Sequence, residues 1–367
     1  MRESDACARH SGLLDVGIGR RMSCSPRQIV GAATHDTFDQ WNTRSSSGVI
    51  AGGGDIMQAI RVHTFGGVDA LVVEDVARPT PGDGEVLLRV GAAGVGPWDA
   101  LIRSGRSVLP QPLPLTLGSD VAGVVECLGP GVRQFAPGDA VFGATNGQFT
   151  GGYAEYAVAS ATTLAKMPRH VGFTEAASVP VVACTAWQMV FEYGAVNATK
   201  RVVVHGAAGN VGAYAVQLAK RVAREVVATA SSDDIEYVRS LGANRVVDAK
   251  QSRFEKILTD IDVVLDPIGG GTQERSFAVL KPGGVLVSAV SAPDQQTAAR
   301  HGVRALFFLV DVSSQRLEHI ATLIEAGELH TRVGDVLPLA DARVAHEMLA
   351  GRPHKRGKIV LTIDAMQ

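Results

Sequence analysis

From Arg201 onward the chain alternates continuous apolar runs with segments of helical period. Val202-Val203-Val204 leads directly into His205-Gly206-Ala207-Ala208-Gly209-Asn210-Val211-Gly212, and Ala213 to Lys220 then carries a helical pattern. Glu225 to Ala230, Arg245 to Val247, Ile261 to Asp266 and Val285 to Ser288 read as strands. Helices are predicted over Asp233 to Leu241 and Gln273 to Leu280, with a Pro-Gly-Gly turn at Pro282 to Gly284. Runs that are apolar on both faces and separated by helices predict a parallel sheet covered on both sides, with ligand at the carboxyl ends of its strands. A last apolar strand, Ala305 to Val310, is expected at the sheet edge.

The first half has a different rhythm. Met57 opens a strand over Ala59 to His63, and short alternating strands broken by Pro-Gly, Gly-Asp and Gly-Gly turns continue from Val62 to Ala159. This is the pattern of a β-rich domain. A helical pattern follows from Thr174 to Glu192. Residues 1–56 are rich in Ser, Arg, Gly and Asp, hold no period of 2 or 3.6, and are expected to be disordered. Arg20-Arg21 lacks the apolar stretch and cleavage site of an export signal.

The strand, glycine-rich turn and helix over residues 201–220 form the layout of a dinucleotide-phosphate cradle. Gly206 and Gly209 are expected to allow a tight turn and close approach of a pyrophosphate, and Gly212 to let the helix pack on the sheet. Unpaired N–H groups of the helix, from Asn210 and Val211 on, would face the phosphates, with Ala208 in the turn.

Composition narrows the partners. A net charge of −2 gives no electrostatic reason to expect nucleic acid or an anionic membrane. Gly, Pro or a charge interrupts every apolar run before it is long enough to span a bilayer. Cys7, Cys24, Cys127 and Cys184 show neither CxxC nor Cys/His spacing, so a reduced, cytoplasmic protein without a disulfide framework is expected.

From Met57 onward the chain resembles the medium-chain dehydrogenase/reductase superfamily, within it the zinc-independent quinone oxidoreductase branch. The resemblance is carried by Gly84-Glu85-Val86-Leu87-Leu88-Arg89-Val90, Gly94 to Gly105, Leu117-Gly118-Ser119-Asp120-Val121-Ala122-Gly123, Pro137-Gly138-Asp139-Ala140-Val141, Gly151-Gly152-Tyr153-Ala154-Glu155-Tyr156, the cradle, Leu280-Lys281-Pro282-Gly283-Gly284 and Gly357-Lys358-Ile359-Val360-Leu361. It implies an α/β fold in which a GroES-like β-rich catalytic domain, residues 57–183 and 318–367, is joined to a doubly wound Rossmann domain with a parallel sheet, residues 184–317.

In the zinc-dependent relatives of this superfamily the catalytic metal is held at positions that match Gly96, Ser119-Asp120 and about Val181. Gly96, Ser119 and Val181 offer no usual zinc ligand, and Asp120 alone cannot complete a site, so no metal is expected. Cys127 and Cys184 read as small core residues. Without a Lewis acid, hydride addition to a quinone or enone is favoured over oxidation of plain alcohols, because the developing charge delocalises onto an oxygen. Trp98 is a wall of the cleft or a core residue. Asp99 and Arg103, four apart on a helix, are expected to pair. Thr185 touches the nicotinamide by family analogy or bonds its own helix, Tyr153 and Tyr156 serve the sheet, and Lys355, Arg356 and Lys358 face the cofactor phosphates or solvent. No catalytic acid is nominated, and the proton is expected from solvent.

The second strand ends Ala228-Thr229-Ala230-Ser231-Ser232 without the acidic residue that accepts from an NAD ribose. Ser231 and Ser232 are expected to donate to a 2′-phosphate, which with the resemblance points to NADP(H). Asp233 and Asp234 are expected in the first turn of the next helix, facing solvent. The basic residue and tyrosine of many relatives have no match here, Ala249 standing near the tyrosine's place. By the resemblance Phe308 runs past the nicotinamide carboxamide, and the edge strand around it pairs subunits into a homodimer. The chain is thus expected to be an NADPH-dependent reductase of a small quinone or enone. The alternatives are an enoyl-thioester reductase of lipid or polyketide biosynthesis and a cofactor-binding protein with little catalysis.

Overall fold

The structure, a computed structural model, describes residues 55–109 and 111–363. The expectations for residues 1–54, including the tail, Arg20-Arg21, Cys7 and Cys24, lie outside the described residues. The first strand, Ile56–Val62, begins one residue before the expected Met57.

Six parallel strands form the second-half sheet, in the spatial order Arg245–Asp248, Glu225–Ala230, Arg201–Val204, Ile261–Asp266, Leu280–Ser288, Arg304–Phe307. The central strands are sealed on both faces: Val202, Val203, Val204, Val263, Val264 and Leu265 are all essentially buried. Val202 and Val204 join one large core and Val203 and Val264 another, so the strand pleat feeds two cores at once. Ordered 3-2-1-4-5-6 by sequence, the sheet is doubly wound, and its switch point falls where Arg201–Val204 meets Ile261–Asp266.

A second, seven-stranded sheet is mostly antiparallel. Its long strand Glu85–Val95 pairs with Asp120–Leu128, Tyr156–Ser160 and the last strand, Lys358–Thr362, which in turn runs parallel to Val333–Pro338. The chain's end therefore completes a sheet begun in its first half. A three-stranded sheet over Ile56–Val62, Leu71–Ala77 and Leu115–Thr116 lies with it. Together these make the α/β architecture with a GroES-like β unit and a Rossmann unit.

Several boundaries differ from expectation. The pattern over Thr174 to Glu192 divides into Phe173–Ala176, Pro180–Trp187 and a π-helical stretch Gln188–Tyr193, because Pro180 has no N–H to continue a helix begun before it. The Gln273 to Leu280 helix is shifted to Gly270–Ser276, and Pro282 to Gly284 lies inside the strand Leu280–Ser288, where the register slips between Ile261 and Val263 of its neighbour. Among the described residues no helix is long and apolar enough to cross a membrane.

Candidate active site

The glycine turn sits at the switch point. Gly206 has φ 53°, the left-handed region, and a Cβ there would stand 2.4 Å from the Ile268 Cδ1. Gly212 is demanded by contact: its Cβ would lie 2.2 Å from the Gly206 carbonyl oxygen and 2.8 Å from the Ala207 Cα, both backbone. Gly209 differs from the expected role, since its backbone is extended (φ −75°, ψ 169°) and strains nothing. It stands at the mouth of the helix Asn210–Val222, which no side chain caps. Thirteen residues of aligned peptide dipoles with uncapped first N–H groups leave that mouth electropositive and able to take an anion. Ala208, Gly209 and Asn210 line a narrow cleft there with Ser178, Tyr237 and Lys358. Val211 is half-buried against the core.

Beside the turn, a cavity of about 320 Å³ opens at the carboxyl ends of the strands, lined among others by Gly206, Ser231, Phe254, Ile268 and Arg275. His205 forms part of its floor, fully buried, with its ring nitrogens 3.0 Å from the Thr229 Oγ1 and 2.9 Å from the Ser276 Oγ. Burial lowers its pKa to about 4, which keeps the ring neutral.

Neither serine is the free donor that the 2′-phosphate expectation requires. Ser231 lines the cavity but donates to the Asp234 Oδ2 at 2.6 Å. Ser232 does not line it and donates to the Asp248 Oδ2 at 2.6 Å, which holds that carboxyl below the ordinary range. Asp234, expected to face solvent, also holds Arg356, whose guanidinium lies 4.6 Å over the Tyr237 ring. Phe308 is 7 % exposed and packs on Tyr193 at 4.5 Å between ring centroids, so its side chain serves the core and lines neither cavity.

The positions matched to metal ligands are occupied by other bonds. Asp120 accepts from the Val181 N–H at 2.9 Å through Oδ1 and pairs with the Lys358 Nζ at 2.8 Å through Oδ2, with both side chains buried. Ser119 accepts from the Trp98 Nε1 at 3.0 Å, and the Lys358 ammonium lies 4.2 Å from the Trp98 ring centroid. An ammonium seated against the one carboxylate does not fit a divalent cation. Among the described residues no three His, Cys, Asp or Glu converge as a metal set. Lys358 thus does not face solvent: its ammonium is a buried ion-pair partner of Asp120, while the residue still borders the cleft at the helix mouth.

Asp99 and Arg103 do not pair. Asp99 turns back to accept from the Gly96 N–H at 2.8 Å and the Tyr153 hydroxyl at 2.9 Å, while Arg103 approaches the His346 Nδ1 at 2.7 Å. That contact makes Nδ1 an acceptor, and burial together with the Arg103 charge lowers the His346 pKa to about 3. Thr185 bonds its own helix at the Val181 carbonyl (2.7 Å), and Tyr156 carries the Arg78 guanidinium 3.7 Å over its ring. Cys184 is buried, as expected, but Cys127 is exposed near the end of its strand. Sequence reasoning passed over Ser178, Tyr237 and Arg253; none carries a motif, and only the chain's tertiary course brings them to the clefts.

Asp99 gives a pH prediction. Burial pushes its carboxyl up to about 7, against the opposing effects of the Gly96 N–H, the Lys358 charge and the Tyr153 hydroxyl. The folded state therefore holds this proton longer than the unfolded chain does. The stability it contributes is complete below pH 3.8 and is lost as pH rises toward about 7. Urea midpoints of Asp99→Asn should lack this decline; a slope equal to that of the unaltered protein would refute the assignment.

Two domain families match the chain: the alcohol dehydrogenase GroES-like domain over residues 82–169 and the zinc-binding dehydrogenase domain over residues 241–361. Human quinone oxidoreductase is 30 % identical over 331 residues, covering 86 % of this chain and all of that protein. The structure of the Coxiella burnetii quinone oxidoreductase superposes with a TM-score of 0.78 at 30 % identity, covering 84 % of this chain and 99 % of the other. A cobalt- and zinc-bound thermostable alcohol dehydrogenase from Pyrobaculum aerophilum gives 0.74 at 32 % identity, covering 84 % and 100 %.

Proposed function

The chain belongs to the medium-chain dehydrogenase/reductase superfamily, in its quinone oxidoreductase branch, and from that premise we propose that it uses NADPH to reduce a quinone or α,β-unsaturated carbonyl without a catalytic metal. A bound nicotinamide supplies the hydride. The chain's own residues hold and desolvate. In this reading the turn of Gly206, Ala208 and Gly209 and the first N–H groups of Asn210, Val211 and Gly212 take the pyrophosphate, Ser231 and Ser232 stand toward the ribose end, and the Phe308 segment borders the nicotinamide. Trp98 and the Lys358 stem wall the catalytic side. Residues 57–183 and 318–367 form the catalytic domain and residues 184–317 the cofactor domain.

The observation that carries the metal-free reading is the Asp120–Lys358 pair with Gly96, Ser119 and Val181 around it. With that carboxylate already bonded, the electrophile for an alkoxide is lacking and a delocalised acceptor is the fitting substrate. Exhaustive chelation should leave turnover with a panel of quinones and enones unchanged. Stoichiometric zinc whose removal abolishes that turnover would sink the proposal. Exposed Phe307 and Leu309 at the sheet edge support a homodimer, and the free thiols Cys127 and Cys184 accord with the cytoplasm.

A further inference from the structure

We propose that Arg253 selects the phosphorylated dinucleotide, its guanidinium taking the 2′-phosphate inside the cavity that Ser231 lines. The inference rests on the NADPH reading and supplies the cation that the end of the second strand lacks.

The path of the chain delivers Arg253 there. Ala249 donates its N–H to the Ala230 carbonyl at 2.8 Å, so the segment after the third strand starts against the end of the second. The Ser252 N–H then returns to the Asp248 carbonyl at 2.9 Å and turns the chain. Ser231, Ala249, Ser252 and Arg253 consequently line one cavity of about 320 Å³, with Glu255 and Arg275 completing its charged wall. The small side chain of Ala249 leaves space between Ser231 and Arg253.

The charge balance of that wall is positive. Glu255 is 11 % exposed and holds both guanidiniums, Arg253 through Nε at 2.6 Å and Arg275 through Nε at 3.6 Å. Two cations share one carboxylate, so the wall carries a net positive charge that favours an anionic ligand. Arg275 lies 5.6 Å over the Phe254 ring. Arg253 is bound only through Nε, and its side chain is 65 % exposed, so its terminal nitrogens can form a two-point contact with a phosphate without breaking the Glu255 bond. Arg356, a third arginine of this region, is held by Asp234 and does not line the cavity.

The test is equilibrium binding by calorimetry of 2′,5′-ADP, 5′-AMP, NADPH and NADH to the full chain, to Arg253→Gln and to Arg356→Gln, with melting curves to verify folding. Loss of a charge-assisted contact predicts that Arg253→Gln weakens 2′,5′-ADP and NADPH by about tenfold or more. Binding of 5′-AMP and NADH should stay within roughly twofold, because those ligands lack the contacted group. Arg253→Lys should recover part of the loss, and Arg356→Gln should retain the preference. An unaltered protein that binds 5′-AMP as tightly as 2′,5′-ADP overturns the NADPH reading and this inference together. If the unaltered protein prefers 2′,5′-ADP, the inference alone falls when Arg253→Gln keeps that preference, when it weakens all four ligands equally, or when the preference is lost in Arg356→Gln instead.

Discussion

Gly212→Val is expected to cost about 3 kcal/mol or more in stability and to abolish dinucleotide binding. The new Cβ would lie 2.2 Å from the Gly206 carbonyl oxygen and 2.8 Å from the Ala207 Cα, and neither is the end of a side chain that can swing away. The helix must move off the strand, which breaks the packing of its buried face, Ala215, Val216, Leu218 and Ala219, against the core. Gly209→Val is the control. Its backbone is already extended, and its Cβ would meet only the Gly206 carbonyl oxygen, at 3.2 Å. That variant should lose far less melting temperature than Gly212→Val yet lose cofactor, since the side chain stands at the helix mouth. Melting curves and nicotinamide titrations of the pair decide the matter. A stable Gly212→Val protein would show that helix and strand are further apart than described, and full cofactor affinity in Gly209→Val would mean the phosphates bind elsewhere.

Lys358→Met should be the second severe change, costing about 3–5 kcal/mol, because it strands the buried Asp120 carboxylate without its counter-ion. The remaining Val181 N–H compensates only one of its oxygens. Combining Lys358→Met with Asp120→Asn should recover most of the loss: the asparagine oxygen still accepts from Val181, and no charge is left buried. Urea unfolding of both single variants and the double variant forms a complete cycle. If Lys358→Met alone costs less than about 1 kcal/mol, or if the double variant is no better than the single, the pair is not the isolated buried ion pair described here.

What was legible in the sequence was local. The strands Glu225–Ala230 and Ile261–Asp266 lie where the apolar runs put them, and the cradle follows from a contiguous twelve-residue stretch. What failed depended on residues far apart. The spacing of Asp99 and Arg103 argues for a pair, but Asp99 is the third residue of its helix and turns back to the Gly96 N–H, while Arg103 finds His346, 243 residues away. By sequence Lys358 is one of three neighbouring cations with Lys355 and Arg356; its partner Asp120 lies 238 residues earlier, beyond any local pattern. The hydroxyls of Ser231 and Ser232 were visible. The carboxylates that accept from them are not legible as partners, because Asp234 reads as a solvent-facing residue and Asp248 belongs to another strand. Cys127 sits on a strand buried over most of its length and exposed near its end, which hydropathy alone does not resolve.

The position of the last strand has a consequence for synthesis on the ribosome. Lys358–Thr362 is not at the margin of its sheet but between Val333–Pro338 and Glu85–Val95. Until it emerges, a nascent chain already holding Glu85–Val95 shows an unpaired row of backbone donors and acceptors, and Asp120 has no counter-ion. The parallel six-stranded sheet, by contrast, is complete once Phe307 has been added. Pulse proteolysis of stalled chains should therefore find residues 201–307 protected while residues 85–128 are still cleaved, with protection of the latter completed only after Thr362 has emerged.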